Sequence, residues 1–155
     1  TRGHFGASIY LREIEGRAEG APPPVDLAVE RRNGDLVRRL IDAGRISACH
    51  DVSDGGLLVA LAEMAMAGEI GADIQIPEDV PPPHAWLFGE DQARYIFSTD
   101  DAEAVLAEAA DAGVPAARIG TTGGGILTVG GTDAISLVEL KAIHEGWLPD
   151  YMSAP

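Results

Sequence analysis

Short apolar runs alternate along the chain between a helical and an extended period, and glycine or proline punctuates nearly every change. Ala7 to Ile14 predicts a short helix, with Ile9, Tyr10, Leu11 and Ile14 as its apolar residues. Gly16 to Pro24 is rich in breakers, ends in three prolines and predicts an extended connection close to polyproline II. A helix is predicted from Val25 to Ala43, starting at Asp26 and stopped by Gly44. Ile46 to Cys49 reads as a strand, and the apolar run after Gly56 reads as a helix extending to Gly68. That helix is apolar nearly all round, with Glu63 as its only charge, which predicts burial on more than one side.

Farther on, Ala72 to Ile76 alternates as a half-buried strand, and Pro77 to Pro83 reads as a loop. Arg94 to Ser98 is a further strand, followed by a helix from Asp101 to Ala112 with Asp100 as N-cap and Gly113 as stop. Ala117 to Thr121, Ile126 to Val129 and Ala134 to Ser136 predict short strands, with Gly123-Gly124-Gly125 as a hairpin turn. A helix from Val138 to Gly146 closes the series, and the residues from Trp147 onward read as a tail. Interleaved helices and strands with tight turns predict an α/β (α+β) fold with a mixed β-sheet and packed helices. The expected organisation is one domain over residues 1–148 and a tail over 149–155.

Composition narrows the function classes. With 46% apolar residues, a chain of 155 residues can bury a real core. A formal charge of −14 argues against nucleic acid and anionic membranes as partners. An anionic ligand would therefore need local help from metal, Arg, Lys or backbone N–H groups. One cysteine excludes an internal disulfide, and no apolar run reaches membrane-spanning length, which together predict a cytoplasmic protein. The start, Thr1-Arg2-Gly3-His4-Phe5-Gly6, reads like the interior of a glycine-rich loop and predicts a piece of a longer chain.

The most informative stretch is His50-Asp51-Val52-Ser53-Asp54-Gly55-Gly56, between a strand and a helix. Such a turn gathers backbone N–H groups and the positive end of a helix dipole, and so suits phosphate. Acidic neighbours suggest a bridging Mg²⁺, because a bare carboxylate would repel phosphate. The candidate groups are the two carboxylates, Asp51 and Asp54, the Ser53 hydroxyl and the Gly55-Gly56 turn. The bland alternative is a helix cap with two turn glycines. The second polar cluster is Gly89-Glu90-Asp91-Gln92-Ala93-Arg94. If it is extended, Glu90, Gln92 and Arg94 share one face and offer an acceptor, an amide and a fork-shaped cation to phosphate or ribose. Here the bland alternative is a strand end with a weak surface ion pair.

Weaker candidates are set against plain structural roles. Cys49, His50 and Asp51 alternate faces on a strand and cannot form a triad, and Cys49 reads as a small buried residue. Met64 and Met66 read as core filling, and His4, His84 and His144 lack metal-ligand spacing. Arg31, Arg32, Arg38 and Arg39 read as a solvated basic helix face.

Taken together, the segments Phe5-Gly6-Ala7-Ser8-Ile9-Tyr10-Leu11, His50 to Leu57, Ala60 to Ala65, Gly89 to Arg94 and Arg118-Ile119-Gly120-Thr121 resemble one family. Their order and spacing are those of the last domain of the synthetase subunit of phosphoribosylformylglycinamidine synthase, a fold like that of aminoimidazole ribonucleotide synthetase. The match runs from about Gly3 to Trp147. The resemblance implies an ATP- and Mg²⁺-dependent ligase of purine biosynthesis. That enzyme converts formylglycinamide ribonucleotide to the amidine with ammonia released from glutamine. ATP phosphorylates the amide oxygen, and ammonia displaces the phosphate.

In that family the synthetase carries two copies of a two-domain unit, and this chain resembles the second half of the second copy. The catalytic groups are then expected upstream of Thr1, so the chain alone is expected to be inactive and to hold no catalytic residue. What it implies for this chain is one side of an auxiliary Mg-nucleotide site holding ATP or ADP, with Asp51 on Mg²⁺ and Ser53 on nucleotide phosphate. Glu90, Asp91 and Gln92 correspond to a Glu-Ser-Gln loop that holds substrate in the first copy; Asp91 departs from that pattern. Implied partners are the upstream domains of the same polypeptide, a glutamine amidotransferase subunit and a small accessory subunit. Two other readings stay open: a related superfamily ligase such as aminoimidazole ribonucleotide synthetase, and a stand-alone non-catalytic interaction module.

Overall fold

The computed structural model describes residues 1–153, which form two compact units. The first comprises Thr1–Leu61 and Glu78–Arg118, and the second Ala62–Pro77 and the described part of Ile119–Pro155.

In the first unit, α1 (Ile9–Glu13) is capped by Ser8, whose hydroxyl accepts from the Leu11 N–H at 3.2 Å. Helix α2 (Leu27–Asp42) starts where the sequence predicts, since Asp26 Oδ1 accepts from the Ala28 and Val29 N–H groups at 3.0 and 3.2 Å. Strand β1 (Ala48–Asp51) begins and ends two residues later than the predicted strand and pairs antiparallel with β3 (Tyr95–Ser98). The register sets Asp51 opposite Tyr95 and Cys49 opposite Phe97.

Between them in sequence lie α3 (Gly56–Gly68), which continues into the second unit, β2 (Ala72–Ile74) of that unit, and α4 (Pro83–Phe88). Helix α4 replaces part of the predicted loop and the residues after it; Pro83 stands in its first turn, and Ala85, Trp86 and Leu87 are buried. Helix α5 (Ala102–Asp111) is capped by Asp101, whose Oδ1 accepts from the Ala104 N–H at 3.2 Å, and not by Asp100. Leu36, Leu40, Val105 and Ala109 form the deepest cluster, with Ile46, Phe97, Ala112 and Val114 packed against it.

In the second unit, β4 (Gly120–Thr122), β2, β5 (Ile126–Val129) and β6 (Asp133–Ser136) form a four-stranded sheet in that order. Strand β2 runs antiparallel to β4 and parallel to β5, so the expected mixed sheet is present. Gly123 to Gly125 is not a hairpin turn, because β2 lies between β4 and β5. The glycine segment crosses the end of β2 and is held there by Gly71 N–H to Gly124 O at 2.9 Å and Gly123 N–H to Gly71 O at 2.8 Å.

Helix α6 (Leu137–Ser153) extends well past Gly146, so residues 147–153 are helical and not the expected tail. Trp147 and Tyr151, one turn apart, stack with ring centroids 5.4 Å apart, which supports the last turns despite Pro149. Residues 154 and 155 of that expected tail lie outside the described residues.

In α3 the buried residues Leu57, Ala60, Leu61 and Ala65 follow one helical stripe, while Val59 is 37% exposed. The expectation of burial on several sides is thus corrected to one buried face with half-buried flanks, among which are Met64 and Met66. Among the described residues no helix is long and apolar enough to cross a membrane.

Candidate functional site

The Ser53–Gly56 turn is built by two left-handed glycines. Gly55 has φ +78° and Gly56 has φ +76°, and the Gly56 N–H donates to Ser53 O at 3.1 Å. At Gly56 a Cβ would stand 2.7–2.8 Å from backbone atoms of Phe88 and Gly89. Only glycine therefore lets the turn meet the Gly89 loop so closely. Both glycines are buried, whereas Asp51, Ser53 and Asp54 are exposed.

Glu90 joins three segments. It is buried, and its Oε1 accepts from the Gly55 N–H and from the Ile9 N–H, both at 2.8 Å. Its own N–H donates to His4 O at 2.9 Å. One of the amides expected to meet phosphate, that of Gly55, is thus already taken by a carboxylate of the protein.

The extended face expected for Glu90, Gln92 and Arg94 is not formed. The segment bends, and Ala93 adopts φ +62°, so the period of two that would align the three side chains is lost. Arg94 turns back on its own loop. It donates to Asp91 O at 3.1 Å, to Thr1 Oγ1 at 3.2 Å and to Gly89 O. Burial pulls its pKa down against the opposing charges of Asp91 and Glu90, and as a guanidinium it stays charged. Gln92 is exposed, and its amide reaches Glu90 O at the outer limit of 3.5 Å. Glu90 and Arg94 therefore frame the loop from inside, and Gln92 is the member of the set left on the surface.

Asp91, outside the predicted ligand set, is a second tie. Its Oδ2 accepts from Thr1 Oγ1 at 2.5 Å and from the Gly3, Arg2 and His4 N–H groups at 2.8, 3.0 and 3.4 Å. Burial pushes its pKa up, but the hydrogen bonds from Thr1, Gly3, Arg2 and His4 outweigh that and hold the carboxyl below its ordinary range. Because the folded pKa is depressed, this stabilisation is present above the ordinary aspartate range and is lost as pH falls through the folded value. The stability difference between the wild type and Asp91→Asn, from urea unfolding at a series of pH values, is expected to shrink as pH drops below about 4, the ordinary aspartate pKa. A difference independent of pH in that window would contradict the assignment.

Asp51 extends from β1 with its side chain 68% exposed and its Oδ1 3.7 Å from His50 Nδ1. Its charge also reaches Tyr95, whose hydroxyl is pushed up by burial first and then by Glu30, Asp51 and Cys49. Cys49 is exposed, in contrast to the buried site predicted for it; its thiol is pushed up by local burial and by Asp51. Among the described residues no group of three or more His, Cys, Asp or Glu could hold a metal ion. The donors fit Mg²⁺ only as one or two carboxylates completing a shell supplied by phosphate and water.

The basic face of α2 is solvated as expected, with Arg31 and Arg38 3.8 and 2.7 Å from Asp35 in exposed ion pairs worth little. A shallow hollow of about 400 Å³ there is lined by Ala28, Arg31, Arg32, Asp35, Arg39 and Ala112 and contains none of the predicted ligand residues.

The arrangement is a buried Gly55–Glu90–Ile9 tie beneath an exposed Asp51, Ser53 and Asp54 edge. The sequence pattern of the AIR synthase related protein, C-terminal domain, family matches residues 1–130. The chain belongs to this family.

This AIR synthase related C-terminal domain is 62% identical over 158 aligned residues to phosphoribosylformylglycinamidine synthase subunit PurL of Parvibaculum lavamentivorans. It is 60% identical to the subunit of the same name from Methylocella silvestris. Each alignment covers 99% of this chain and 21% of the relative, so the chain spans about a fifth of the curated relatives it matches. Among solved structures, it resembles Thermotoga maritima PurL complexed with ADP, with a TM-score of 0.67 at 17% identity, over 89% of this chain and 24% of that one. The same protein complexed with ATP gives 0.66 at 16% identity, over 88% and 24%. These two likenesses establish the mixed α/β fold of the AIR synthase related C-terminal domain.

Proposed function

We propose that the chain works as a C-terminal part of the ATP-dependent ligase that converts formylglycinamide ribonucleotide to formylglycinamidine ribonucleotide in purine biosynthesis. The observation that carries this reading is the 62% identity to a phosphoribosylformylglycinamidine synthase subunit across 99% of the chain. In this reading the active unit includes the rest of a longer polypeptide, a glutamine amidotransferase subunit and a small accessory subunit, and it works in the cytoplasm. One solved relative is itself an assembly, PurLQS from Thermotoga maritima.

The contribution of this domain is one edge of an auxiliary Mg-nucleotide site. Asp51 supplies a carboxylate oxygen toward Mg²⁺, and Ser53 and Asp54 with the Gly56 end of α3 face the phosphates. Mg²⁺ held there would offset the phosphate charge that a bare Asp51 carboxylate repels. The exposure of Asp51, Ser53 and Asp54 supports this role, while Gly55 and Glu90 are committed to each other. Glu90 and Arg94 act as the frame behind this edge, and Gln92 is the member of the second cluster best disposed to touch a ligand.

Asp51→Asn in the complete protein is expected to lower the ADP retained through purification at least about tenfold, a loss of roughly 1.4 kcal/mol in binding. Nucleotide content read by chromatography after denaturation checks this. Unchanged ADP would remove Asp51 from the site. A stand-alone interaction module has less support, because the match to the synthase subunit runs through both polar clusters.

A further inference from the structure

The N–H groups of three successive residues, Arg2, Gly3 and His4, converge on one oxygen, Asp91 Oδ2, at 3.0, 2.8 and 3.4 Å. The Thr1 hydroxyl adds a fourth donor at 2.5 Å. Gly3 has φ +72°, and a left-handed residue inside such a run turns consecutive amides toward one side, which is the geometry of an anion-binding concavity.

The concavity is braced from behind. A Cβ at Gly3 would stand 2.7 Å from Ala85 Cβ and 3.2 Å from Pro81 Cβ, so this backbone lies flat against the start of α4. A cation borders it as well, since Arg94 donates to the same Thr1 hydroxyl at 3.2 Å. The occupant is an anion supplied by the chain itself, 88 residues from Gly3 in sequence. A carboxylate oxygen and a phosphate oxygen ask for the same donors at the same distances.

We propose that the Arg2–His4 backbone is an oxyanion receptor that Asp91 fills as an internal ligand, so that Asp91 is the residue that excludes phosphate from the Gly89–Arg94 loop. Neither Asp51, Ser53, Asp54 nor Gly56 takes part, so the receptor stands or falls separately from that edge. It also gives the loop a specificity: with Asp91 in place, a phosphate ester meets a filled receptor and a repelling charge. Without Asp91 it meets four donors and a neighbouring guanidinium.

The test is anion rescue in the full chain. Asp91→Ala empties the receptor, and Asp91→Asn keeps it filled with a neutral acceptor. Melting temperatures are read in inorganic phosphate and in sodium chloride of equal ionic strength. Relative to chloride, about 20 mM phosphate is expected to raise the melting temperature of Asp91→Ala by about 4 °C, and that of the wild type and Asp91→Asn by less than about 1 °C. Subtracting the wild-type shift removes the general salting effect of phosphate. Equal shifts in all three proteins would overturn the proposal. If Asp91→Ala does not fold in chloride, it is expected to refold in phosphate, and failure to do so while Asp91→Asn folds would equally overturn it.

Discussion

Replacing Glu90 with alanine is expected to lower the stability of the first unit by roughly 3–5 kcal/mol, one of the two largest effects in the protein. Glu90 Oε1 accepts from two N–H groups, those of Ile9 and Gly55. They belong to the start of α1 and to the turn before α3, which have no backbone ladder between them. Removing the carboxylate strands the Gly55 N–H in a buried site and the Ile9 N–H in a half-buried one. An unsatisfied buried donor costs about 1–3 kcal/mol, and hydrogen bonds to a charged acceptor are the stronger kind. Glu90→Gln is the control, since its amide oxygen can accept from the same two donors, and it is expected to lose only about 1 kcal/mol. Urea unfolding of the three proteins separates the cases. Equal, small losses for both variants would mean that Glu90 is a bystander.

Gly56→Ala is expected to cost at least about 3 kcal/mol, from the left-handed backbone and from overpacking together. At φ +76° the added Cβ is strained in itself. It would also stand 2.7 Å from Phe88 C and 2.8 Å from Gly89 O, and backbone atoms cannot rotate aside as a side chain would. Gly44→Ala provides the comparison, because Gly44 has φ +65° but no atom lies within 4 Å of where its new methyl group would stand. That variant is expected to lose only about 1–2 kcal/mol, the backbone part alone. The excess for Gly56, read by the same urea unfolding, measures the close approach between the turn and the Gly89 loop. A similar loss at both positions would mean the two segments are not in contact.

Much of the fold is legible in local sequence because its signals are local. Asp26 and Gly44 mark the ends of α2 through a cap and a left-handed stop, and Asp26 caps as expected. Alternation over Ala72 to Ile76 marks β2, and the short apolar run Ile126–Val129 beside glycines marks β5. The misses have physical causes. Helix α4 is hidden because Pro81-Pro82-Pro83 reads as a loop, although a proline also opens a helix without losing a needed N–H. The last turns of α6 are masked by Pro149, which reads as a helix breaker, although the Trp147–Tyr151 stack spans it.

The candidate site is legible in its residue types and less so in its pairings. Ser53, Asp54 and the two glycines announce a turn before a helix, and the turn is there. What no local pattern carries is that Glu90 closes on Gly55 and Ile9, 35 and 81 residues away, or that Asp91 closes on the first residues of the chain. Those contacts change the second cluster from a ligand face into a frame. They leave Asp51, Ser53 and Asp54 as the exposed edge to which the proposed nucleotide contacts are assigned.

The account is tested most directly by the mass of the native gene product, read by blotting source-cell lysate with an antibody raised against this chain. It predicts a single band several times larger than 16.2 kDa, as expected of a domain within a multidomain ligase. A band at 16.2 kDa would contradict it and leave a free-standing protein whose exposed acidic edge serves another partner.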